Sequence, residues 1–367
     1  MTEWKEYKLG DLTIDGKGSY GIAASAIEFD ASKYTYLRIT DINDDGTINK
    51  NGLKSVDDVN ASNYLLKPND IVFARTGASV GRSYFYDGKD GEFVYAGFLI
   101  KFGIDPNKVN PKILKYYTHS QPYYDWILSV DNGATRGNIN AQTYSSMPII
   151  LPERNIQDKI VSILSSLDDK IDLLHRENKT LETMAETLFR QWFIEEAKED
   201  WEEGKLGDMI EIKYGKDHKK LEDGKIPVIG SGGIMRYANT SLYDKESVLI
   251  PRKGSLNNVM YINKPFWTVD TMFYTKMLKP NTAKFVYHFM KGLDLANMNV
   301  GSAVPSMTTE VLNNIPIDIP PQDVFDKFEN HVGNLYRKME NNNKQIQTLI
   351  QQRDSLLPKL MSGEVKI

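Results

Sequence analysis

The sequence predicts an α+β fold with two β-rich domains, each followed by a long helix. The two helices are expected to pack as an antiparallel coiled coil with pseudo-two-fold symmetry. Three observations support this prediction: an unusually long amphipathic stretch in the middle of the chain, a second copy of it at the C-terminus, and short motifs that recur at the head of each half. One structural unit therefore occurs twice.

The first long helix is predicted over residues 152–193, PERNIQDKIVSILSSLDDKIDLLHRENKTLETMAETLFRQWF. Its apolar residues recur at steps of three and four, which is the pattern of a helix that packs along another helix. These positions are Ile156, Ile160, Ile163, Leu167, Ile171, Leu174, Leu181, Leu188 and Trp192. Neither Gly nor Pro interrupts the stretch for about 40 residues, so the helix would span roughly 60 Å. It is too long for an ordinary globular helix and too polar to cross a membrane.

The second long helix follows from adding 168 to those nine positions, and seven of the nine remain apolar. The matching residues are Val324, Phe328, His331, Leu335, Met339, Asn342, Leu349, Leu356 and Leu360. Each stripe contains one asparagine, Asn178 in the first helix and Asn342 in the second. A buried asparagine can fix the register of a coiled coil. The alternative is that these asparagines face solvent, and the sequence leaves both possibilities open.

The segments before the helices read as β-rich. Runs of β-branched and aromatic residues, separated by Gly-rich and Asp-rich turns, predict strands at 34–42, 70–74, 92–102 and 247–251. Shorter helices are predicted at 112–130 and 282–295. The predicted domains are a β-rich domain at 1–151, a central helix at 152–196, a second β-rich domain at 197–319 and a C-terminal helix at 320–367.

Short motifs in the β-rich segments are also duplicated. Trp4 opens WKEYKLGDL and Trp201 opens WEEGKLGDM, 197 residues later. Both tryptophans are interpreted as packing anchors. DIVFARTGASVG resembles SVLIPRKGSLNN, which aligns Arg75 and Gly77 with Arg252 and Gly254 at an offset of 177. Because the offset falls from 197 to 168 along the chain, the first β-rich segment is the longer by 29 residues, as loop insertions would make it.

Composition limits the class of protein. With 26% charged and 41% hydrophobic residues, the 367-residue chain is typical of a soluble protein of two or three domains. The absence of cysteine and of an apolar N-terminal segment is expected of a cytoplasmic protein without disulfides. A formal net charge of -4 means that any contact with nucleic acid must come from local basic patches.

No catalytic motif is apparent in the sequence. It contains no G-x-x-x-x-G-K-[ST] phosphate loop and no Asn-Pro-Pro-aromatic tetrapeptide, the base-methylating signature of adenine methyltransferases. The five histidines are scattered without metal-ligand spacing. We therefore expect no catalytic residue, metal or cofactor on this chain.

The duplicated motifs, taken in order, resemble the specificity (S) subunits of Type I restriction–modification systems. The resemblance rests on W-x-x-x-x-L-G-D at the head of each half, DIVFARTGASVG, IPVIGSGGIMRY, the P-E-x-x-I-Q-x-K-I start of the first helix and the LLPKLMSGEV end of the second. It implies that the β-rich domains are target-recognition domains, each reading one half of an asymmetric, bipartite site in double-stranded DNA.

The same resemblance implies what the chain assembles with. The helix pair would set the spacing of the half-sites and dock methyltransferase (modification) subunits, two per chain, for N6-adenine methylation. A restriction subunit would add ATP-dependent translocation and cleavage. S-adenosylmethionine, ATP and Mg are then expected in the partner subunits and not on this chain.

Candidate DNA-binding residues combine Arg or Lys with small polar side chains in Gly-containing loops. Arg and Asn can read guanine and adenine, whereas Lys and Ser mostly hold phosphates. The candidates are Arg75, Thr76, Ser79, Arg82, Arg136, Asn138, Lys216, Lys219, Lys220, Arg252, Lys253, Ser255, Asn257 and Asn258. Thr135, Asn140, His218, Ser302 and Ser306 lie in the same loops. The alternative is that these loops are ordinary hairpin tips.

Candidate partner-binding residues lie near the ends of the long helices. They are Leu188, Phe189, Trp192, Leu356, Leu357 and Leu360. Two other functions stay open from the sequence. One is an assembly scaffold that uses the helix pair without binding DNA, and the other is an enzyme with an unrecognised site in a glycine loop.

Overall fold

The computed structural model describes residues 4–130, 138–298, 306–365 and 367. The chain forms two compact units, which we call unit 1 (residues 1–173 and 345–367) and unit 2 (residues 174–344). Each unit holds one β-rich segment together with a part of both long helices. The four-part division by sequence position stays a prediction, because packing groups the helices with both globular segments.

Unit 1 has a central sheet with the strand order β2-β9-β6-β7, a second sheet with the order β3-β5-β4-β8, and the pair β1-β10. The strands are β1 Lys5–Lys8, β2 Ser19–Tyr20, β3 Ala26–Ile27, β4 Tyr34–Leu37, β5 Lys54–Val56, β6 Asp70–Ala74, β7 Ser83–Tyr86, β8 Phe93–Tyr95, β9 Leu99–Gly103 and β10 Pro148–Leu151. The helices are α1 Pro111–Tyr117, α2 Gln121–Val130, α3 Ala141–Ser145 and the first long helix α4, Arg154–Arg190.

The central sheet of unit 1 is buried on both faces. Along β6, Ile71 and Phe73 point into the core that contains α1 and the long helices. Val72 and Ala74 point into the core shared with the second sheet. Successive side chains of a strand face opposite ways. The uninterrupted apolar run of β6 therefore reflects burial between two layers.

Unit 2 repeats this topology with the central sheet β12-β18-β15-β16, the smaller sheet β14-β13-β17 and the pair β11-β19. The strands are β11 Glu202–Lys205, β12 Ile210–Tyr214, β13 Asp223–Gly230, β14 Gly233–Ala238, β15 Ser247–Pro251, β16 Met260–Ile262, β17 Trp267–Thr268, β18 Met272–Met277 and β19 Pro316–Ile319. The helices are α5 Leu206–Met209, α6 Ala283–Lys291, α7 Thr309–Asn313 and the second long helix α8, Gln322–Met361.

The Leu-Gly-Asp motif has the same role in both units. The Asp11 carboxylate accepts the Lys8 N–H at 3.3 Å, and the Asp208 carboxylate accepts the Lys205 N–H at 2.8 Å. Each aspartate thereby caps the short helical turn that follows the first strand of its unit. That strand pairs antiparallel with the strand just before a long helix, β1 with β10 and β11 with β19. The repeat thus ties the head of each β-rich segment to its end.

The fold class is confirmed: each β-rich segment is followed by a long helix, and the two helices run antiparallel. In unit 1, Asp168 contacts Arg353 and Lys159 contacts Ile367. In unit 2, the Asn178 side chain bonds Asn343, and Trp192 contacts His331. The first helix continues beyond Arg190 as a π-helical turn, Gln191–Glu195.

The buried stripe of each helix is wider than the predicted seam. Val161, Leu164, Ala185 and Phe189 lie off that seam and are nevertheless buried in the cores of the β-rich segments. Each helix therefore packs against its partner helix and a globular core together, which a single stripe does not anticipate. His331, one of the two positions of the second stripe that are not apolar, is exposed, although its ring contacts Trp192.

Asn342 is fully buried between the helices. Its Nδ2 donates to Oε2 of Glu177 and to Oδ1 of Asn178, both at 2.9 Å, and Nδ2 of Asn178 donates to Oδ1 of Asn343 at 2.9 Å. The alternative that Asn342 faces solvent is therefore wrong, whereas Asn178 is only half-buried. A register-fixing role for this polar cluster stays a prediction.

Several predicted elements are shorter than expected or interrupted. The strand predicted at 34–42 ends at Leu37, and the helix predicted at 112–130 is broken between Tyr117 and Gln121. The strand predicted at 92–102 is split into β8 and β9, and between them Gly97 passes close to the backbone of residues 21–23. The packing interpretation of the two tryptophans is confirmed, because Trp4 lies against the unit 1 core and Trp201 contacts Phe193.

Candidate nucleic-acid interface

Two loops occupy equivalent places at the ends of β6 and β15. We call residues 75–78 and 252–255 the arginine loops. Gly77 has φ +71° and Gly254 has φ +85°, a backbone region that favours glycine. The Ile139 N–H donates to the Arg75 carbonyl and the Met307 N–H donates to the Arg252 carbonyl, both at 2.9 Å. The two loops thus share one backbone arrangement.

These backbone bonds bring together residues that are far apart in sequence. Thr76 forms a β-bridge with Asn138, and Lys253 forms the corresponding bridge with Ser306. In each unit the segment just before the last short helix therefore lies beside the arginine loop. The sequence proposed these two sets of residues separately, and the structure places Asn138 and Ser306 of the second set beside the arginine loops.

A tyrosine lies under the arginine in both units. The Arg75 guanidinium carbon is 4.8 Å from the ring centre of Tyr20, and that of Arg252 is 5.3 Å from the ring centre of Tyr214. Such cation–π contacts orient a guanidinium while leaving its edge open to solvent. The rings remain 42% and 51% exposed, so both pairs lie at the surface.

The glycine after each tyrosine allows this arrangement. A Cβ atom at Gly21 would lie 2.2 Å from the Ala96 carbonyl oxygen, and one at Gly215 would lie 2.0 Å from the Val269 carbonyl oxygen. Only glycine fits where two backbones approach so closely. Sequence reasoning missed both tyrosines. The Tyr-Gly pairs recur at an offset of 194, between the offsets of 197 and 177 that flank them, and this repeat could have revealed them.

The two arginines are held differently at their edges. Nε and Nη2 of Arg75 donate to Oδ1 of Asn138 at 3.3 and 3.2 Å, whereas Nη1 of Arg252 donates to the Asp270 carbonyl at 3.3 Å. Within the described ranges, no carboxylate oxygen lies within 4.0 Å of either guanidinium. Both side chains therefore carry positive charge that is not neutralised by a described neighbour.

The remaining candidates of unit 1 are more constrained. Nε of Arg82 donates to the Asp44 carboxylate at 2.6 Å, so its charge is already paired. Ser79 is buried and Thr76 is half-buried. Oδ1 of Asn140 accepts the Thr143 N–H at 2.8 Å and caps α3. Thr135 and Arg136 lie outside the described residues.

In unit 2, both loop asparagines bind neighbouring segments. Asn257 donates to Asp294 at 3.2 Å and accepts the Ala296 N–H at 2.9 Å. Asn258 donates to the Ser231 carbonyl at 2.7 Å, which joins the arginine loop to the tip of the β13–β14 hairpin. These bonds position the loop.

The basic side chains of unit 2 are the more accessible candidates. The exposed ones, together with a neighbouring hydroxyl, are Lys216, Lys219, Lys220, Lys253 and Ser255. Asp217 interrupts the lysine cluster, and the Lys219 N–H that its carboxylate accepts lowers the pKa of Asp217. His218 is half-buried and Ser306 lies at the bridge to Lys253, while Ser302 lies outside the described residues.

Exposed apolar side chains flank both arginine loops. Phe98 is 60% exposed, and its carbonyl accepts the Arg75 N–H at 3.1 Å. At the tip of the β13–β14 hairpin, Ile234 and Met235 are 55% and 58% exposed. Apolar side chains beside arginine suit the grooves of DNA, where thymine methyl groups and base edges are within reach. The sequence prediction did not include these three residues.

The candidate partner-binding residues pack inside their own units. Leu188, Phe189 and Trp192 contribute to the unit 2 core, and Leu356, Leu357 and Leu360 contribute to the unit 1 core. A separate groove of about 670 Å³ lies along α4 in unit 2. It is lined by Arg176, Lys179, Thr180, Thr183, Met184, Thr187 and Leu188.

The described part of the chain contains no group of three or more His, Asp or Glu side chains that is placed to hold a metal ion. No helix there is both long and apolar enough to cross a membrane.

Comparison with known proteins places these features in a family. A family model described as the Type I restriction modification DNA specificity domain matches residues 1–183 and again residues 198–351. The two matches correspond to the two halves of the internal repeat.

Two curated relatives carry the same description. The chain is 24% identical over 307 residues to the MjaIX specificity subunit, a match that covers 72% of this chain and 71% of the relative. It is 21% identical over 416 residues to the MjaVIII specificity subunit, covering 100% of this chain and 93% of the relative. Both are Type I restriction enzyme subunits of Methanocaldococcus jannaschii.

A solved structure has the same fold. The crystal structure of the S subunit of a Type I restriction–modification system from M. genitalium superposes with a TM-score of 0.60 at 19% sequence identity. The superposition covers 98% of this chain and 96% of that one. Because the family model matches both halves, the chain belongs to the DNA specificity subunits of Type I restriction–modification systems.

Proposed function

We propose that this chain is the non-catalytic, DNA-reading subunit of its complex, and that each unit reads one half of an asymmetric, bipartite site. The observation that carries this proposal is the duplicated arginine loop: in both units an arginine without a described carboxylate partner lies over an exposed tyrosine. A planar guanidinium can pair with two acceptors of a base edge at once. The site is expected to be asymmetric because the side chains around the two loops differ.

Around each arginine, other candidates would make contacts that position the DNA backbone. Lys216, Lys219, Lys220 and Lys253 are exposed and can neutralise phosphates. Thr76, Ser255 and Asn138 remain candidates for polar contacts in the same loops. Arg82, Ser79, Asn257 and Asn258 support these loops through the internal contacts or burial described above, and Arg136 remains a candidate from its sequence alone.

We further propose that the helix pair sets the spacing of the half-sites and docks two modification subunits, with a restriction subunit completing the complex in the cytoplasm. N6-adenine methylation and ATP-dependent cleavage would then occur in those partners, which would hold S-adenosylmethionine, ATP and Mg. The groove along α4, with Thr180, Thr183 and Met184 exposed, supports helix docking better than the six candidates do, because those pack against the cores of their own units and only Leu188 among them lines the groove.

Domain exchange tests this proposal. The full chain is produced with its modification subunits, and methylated adenines are mapped in the host genome to define both half-sites and the gap. Replacing residues 1–151 by the first domain of another family member should change one half-site only. Replacing residues 197–319 is the matched control and should change only the other half. A change in both halves from a single exchange would contradict the modular reading.

The same assay separates the alternatives. Complexes without sequence-selective DNA retention would support an assembly scaffold. Methyl transfer or DNA cleavage by this chain alone would support an enzyme. Lengthening both long helices by two turns should change the gap between the half-sites and leave the half-sites intact.

A further inference from the structure

Arg75 is held on three sides at the surface of unit 1. Its backbone N–H donates to the Phe98 carbonyl at 3.1 Å, its guanidinium lies 4.8 Å from the ring centre of Tyr20, and its Nε and Nη2 donate to Oδ1 of Asn138. Tyr20 is itself fixed, because its hydroxyl accepts the Ala141 N–H at 3.1 Å. A half-buried surface arginine held in this way loses little conformational entropy on binding.

These contacts leave one edge of the guanidinium open. Arginine has five N–H donors in one plane. Asn138 occupies the edge formed by Nε and Nη2. In the described part of the chain, no acceptor occupies the two Nη1 hydrogens or the outer Nη2 hydrogen. The open edge therefore presents two parallel N–H groups, one from each terminal nitrogen.

Two acceptors side by side in a plane match that edge. In the major groove, guanine presents O6 and N7 in this arrangement, whereas adenine places a donor beside its N7. A phosphate would also accept these hydrogens in a bidentate contact, and the salt dependence of binding distinguishes the two. The stack on Tyr20 and the contact with the Asn138 amide together fix the plane of the Arg75 guanidinium.

We propose that Arg75 reads one guanine in the half-site of unit 1 through O6 and N7, with Tyr20 and Asn138 as positioning residues. The inference rests on the proposed function, since it requires that unit 1 reads a half-site. To the proposed function it adds that the base is guanine, that Arg75 reads it, and that Tyr20 and Asn138 orient Arg75.

Atom replacement in the DNA tests the inference. After the recognition site is mapped, each guanine of the unit 1 half-site is replaced in turn by 7-deazaguanine, which lacks the N7 acceptor. Binding of the full complex to each duplex is then measured. At one guanine, the replacement should weaken wild-type binding about tenfold or more. In an Arg75→Ala complex the same replacement should have no effect.

The positioning residues provide a second test. Tyr20→Leu removes the stacking ring, and Asn138→Ala removes the edge acceptor, so each should reduce the 7-deazaguanine penalty at that position. Tyr20→Phe keeps the ring and loses only the hydroxyl that accepts the Ala141 N–H, so it should retain more of the penalty than Tyr20→Leu does. Discrimination in the unit 2 half-site, measured on the same complexes, must stay at its wild-type level, which verifies that the variants fold and assemble.

The outcomes separate this inference from the proposed function. If the complex selects neither half-site, the proposed function fails. If both half-sites are selected but no guanine shows a penalty that depends on Arg75, only this inference is overturned. If Arg75→Ala weakens binding equally for all sequences and reduces the salt dependence by about one phosphate contact, Arg75 holds a phosphate, and the inference is again overturned.

Discussion

The two units share a topology but differ in the chemistry by which the β-rich segment and the long helices meet at one equivalent position. In unit 1, Asp168 on α4 accepts hydrogen bonds from Lys115 at 2.7 Å and from Arg353 at 3.2 Å, so an ionic cluster joins α1 to both helices. The residue that corresponds to Asp168 at the offset of 168 is Tyr336, whose hydroxyl lies 3.0 Å from Nε2 of His288. There, aromatic rings surround the contact, and the ion pairs of unit 2 lie at other positions, where Lys284 pairs with Glu329 on α8 and Lys291 pairs with Glu182 on α4.

The aromatic attachment of unit 2 is built around Phe328, which has no exposed surface. Its ring centre lies 4.9 Å from that of Phe193, 6.1 Å from that of Trp192 and 6.4 Å from that of Phe189. The difference teaches that the repeat retains backbone topology and loop geometry, while the side chains that fill the contact with the long helices differ between the two units. At these two contacts, unit 1 should therefore respond to the loss of charge, and unit 2 to the loss of volume.

The largest effect is expected in unit 2. Phe328→Ala removes a fully buried ring from the aromatic cluster, and the lost burial and the cavity together should lower the free energy of unfolding by about 3–5 kcal/mol. The measurement is urea denaturation of the full chain, followed by fluorescence and circular dichroism.

Phe98→Ala provides the matched control because Phe98 is 60% exposed. Its free energy of unfolding should stay within about 0.5 kcal/mol of wild type. A loss below about 1 kcal/mol for Phe328→Ala would mean that aromatic packing does not hold unit 2 to the helices.

A second prediction concerns acid and the buried His288 of unit 2. Burial lowers the pKa of His288 to about 4, with a further decrease from Lys291 and an opposing effect of Glu182. Because the folded pKa lies below the ordinary value of 6.5, the unfolded chain binds a proton first as the pH falls. The stability that neutral His288 allows is complete above pH 6.5 and is lost towards pH 4.

His288→Gln should remove this part of the acid sensitivity. Between pH 7 and pH 5, the wild-type chain should lose about 2 kcal/mol more of its free energy of unfolding than the variant. Thermal unfolding at several pH values measures the difference. His331→Gln, at an exposed position of α8, is the control and should follow wild type. Parallel pH profiles for wild type and His288→Gln would contradict the assignment.

The repeat explains how much of the fold was predictable. The 168-residue offset placed both long helices, because apolar steps of three and four depend only on local sequence. The wider buried stripe was not predictable, since Val161 and Phe189 face globular cores that form from distant segments. Likewise, Gly97 splits one predicted strand because it passes close to the backbone near Ile22, a contact with no local signal.

The arginine loops of the candidate site could be proposed from the sequence, whereas the residues that contact each arginine from distant segments could not. Arg75 and Arg252 were found because a basic residue and a glycine recur at one offset. Tyr20 and Asn138 lie 55 residues before and 63 residues after Arg75, and only the fold brings them to its guanidinium. Arg82 was a candidate on the same grounds, but its charge is paired with Asp44, a contact that the sequence did not indicate. Residue type alone did not separate a paired arginine from a free one.

The ionic attachment of unit 1 gives the smallest predicted effect. Burial raises the pKa of Asp168, but Lys115 and Arg353 outweigh it and hold that pKa below its ordinary value. Asp168→Asn keeps the shape and removes the charge, leaving Lys115 and the Tyr116 hydroxyl without a carboxylate, whereas Arg353 still pairs with Asp354. Because Lys115 is 40% exposed, solvent screens part of the loss, and we expect a decrease of about 1–2 kcal/mol in the free energy of unfolding.

The adjacent residue on α4 offers a stringent control. Asp169 pairs with Lys89 at 2.8 Å, but both side chains are more than half exposed, so Asp169→Asn should cost about 0.5 kcal/mol or less. Urea denaturation at low salt and again at 1 M salt measures both variants. The cost of Asp168→Asn should decrease only in part at high salt, because a largely buried pair is screened less than an exposed one. Equal costs for the two variants would mean that unit 1 relies on apolar packing as unit 2 does, and the contrast between the two attachments would disappear.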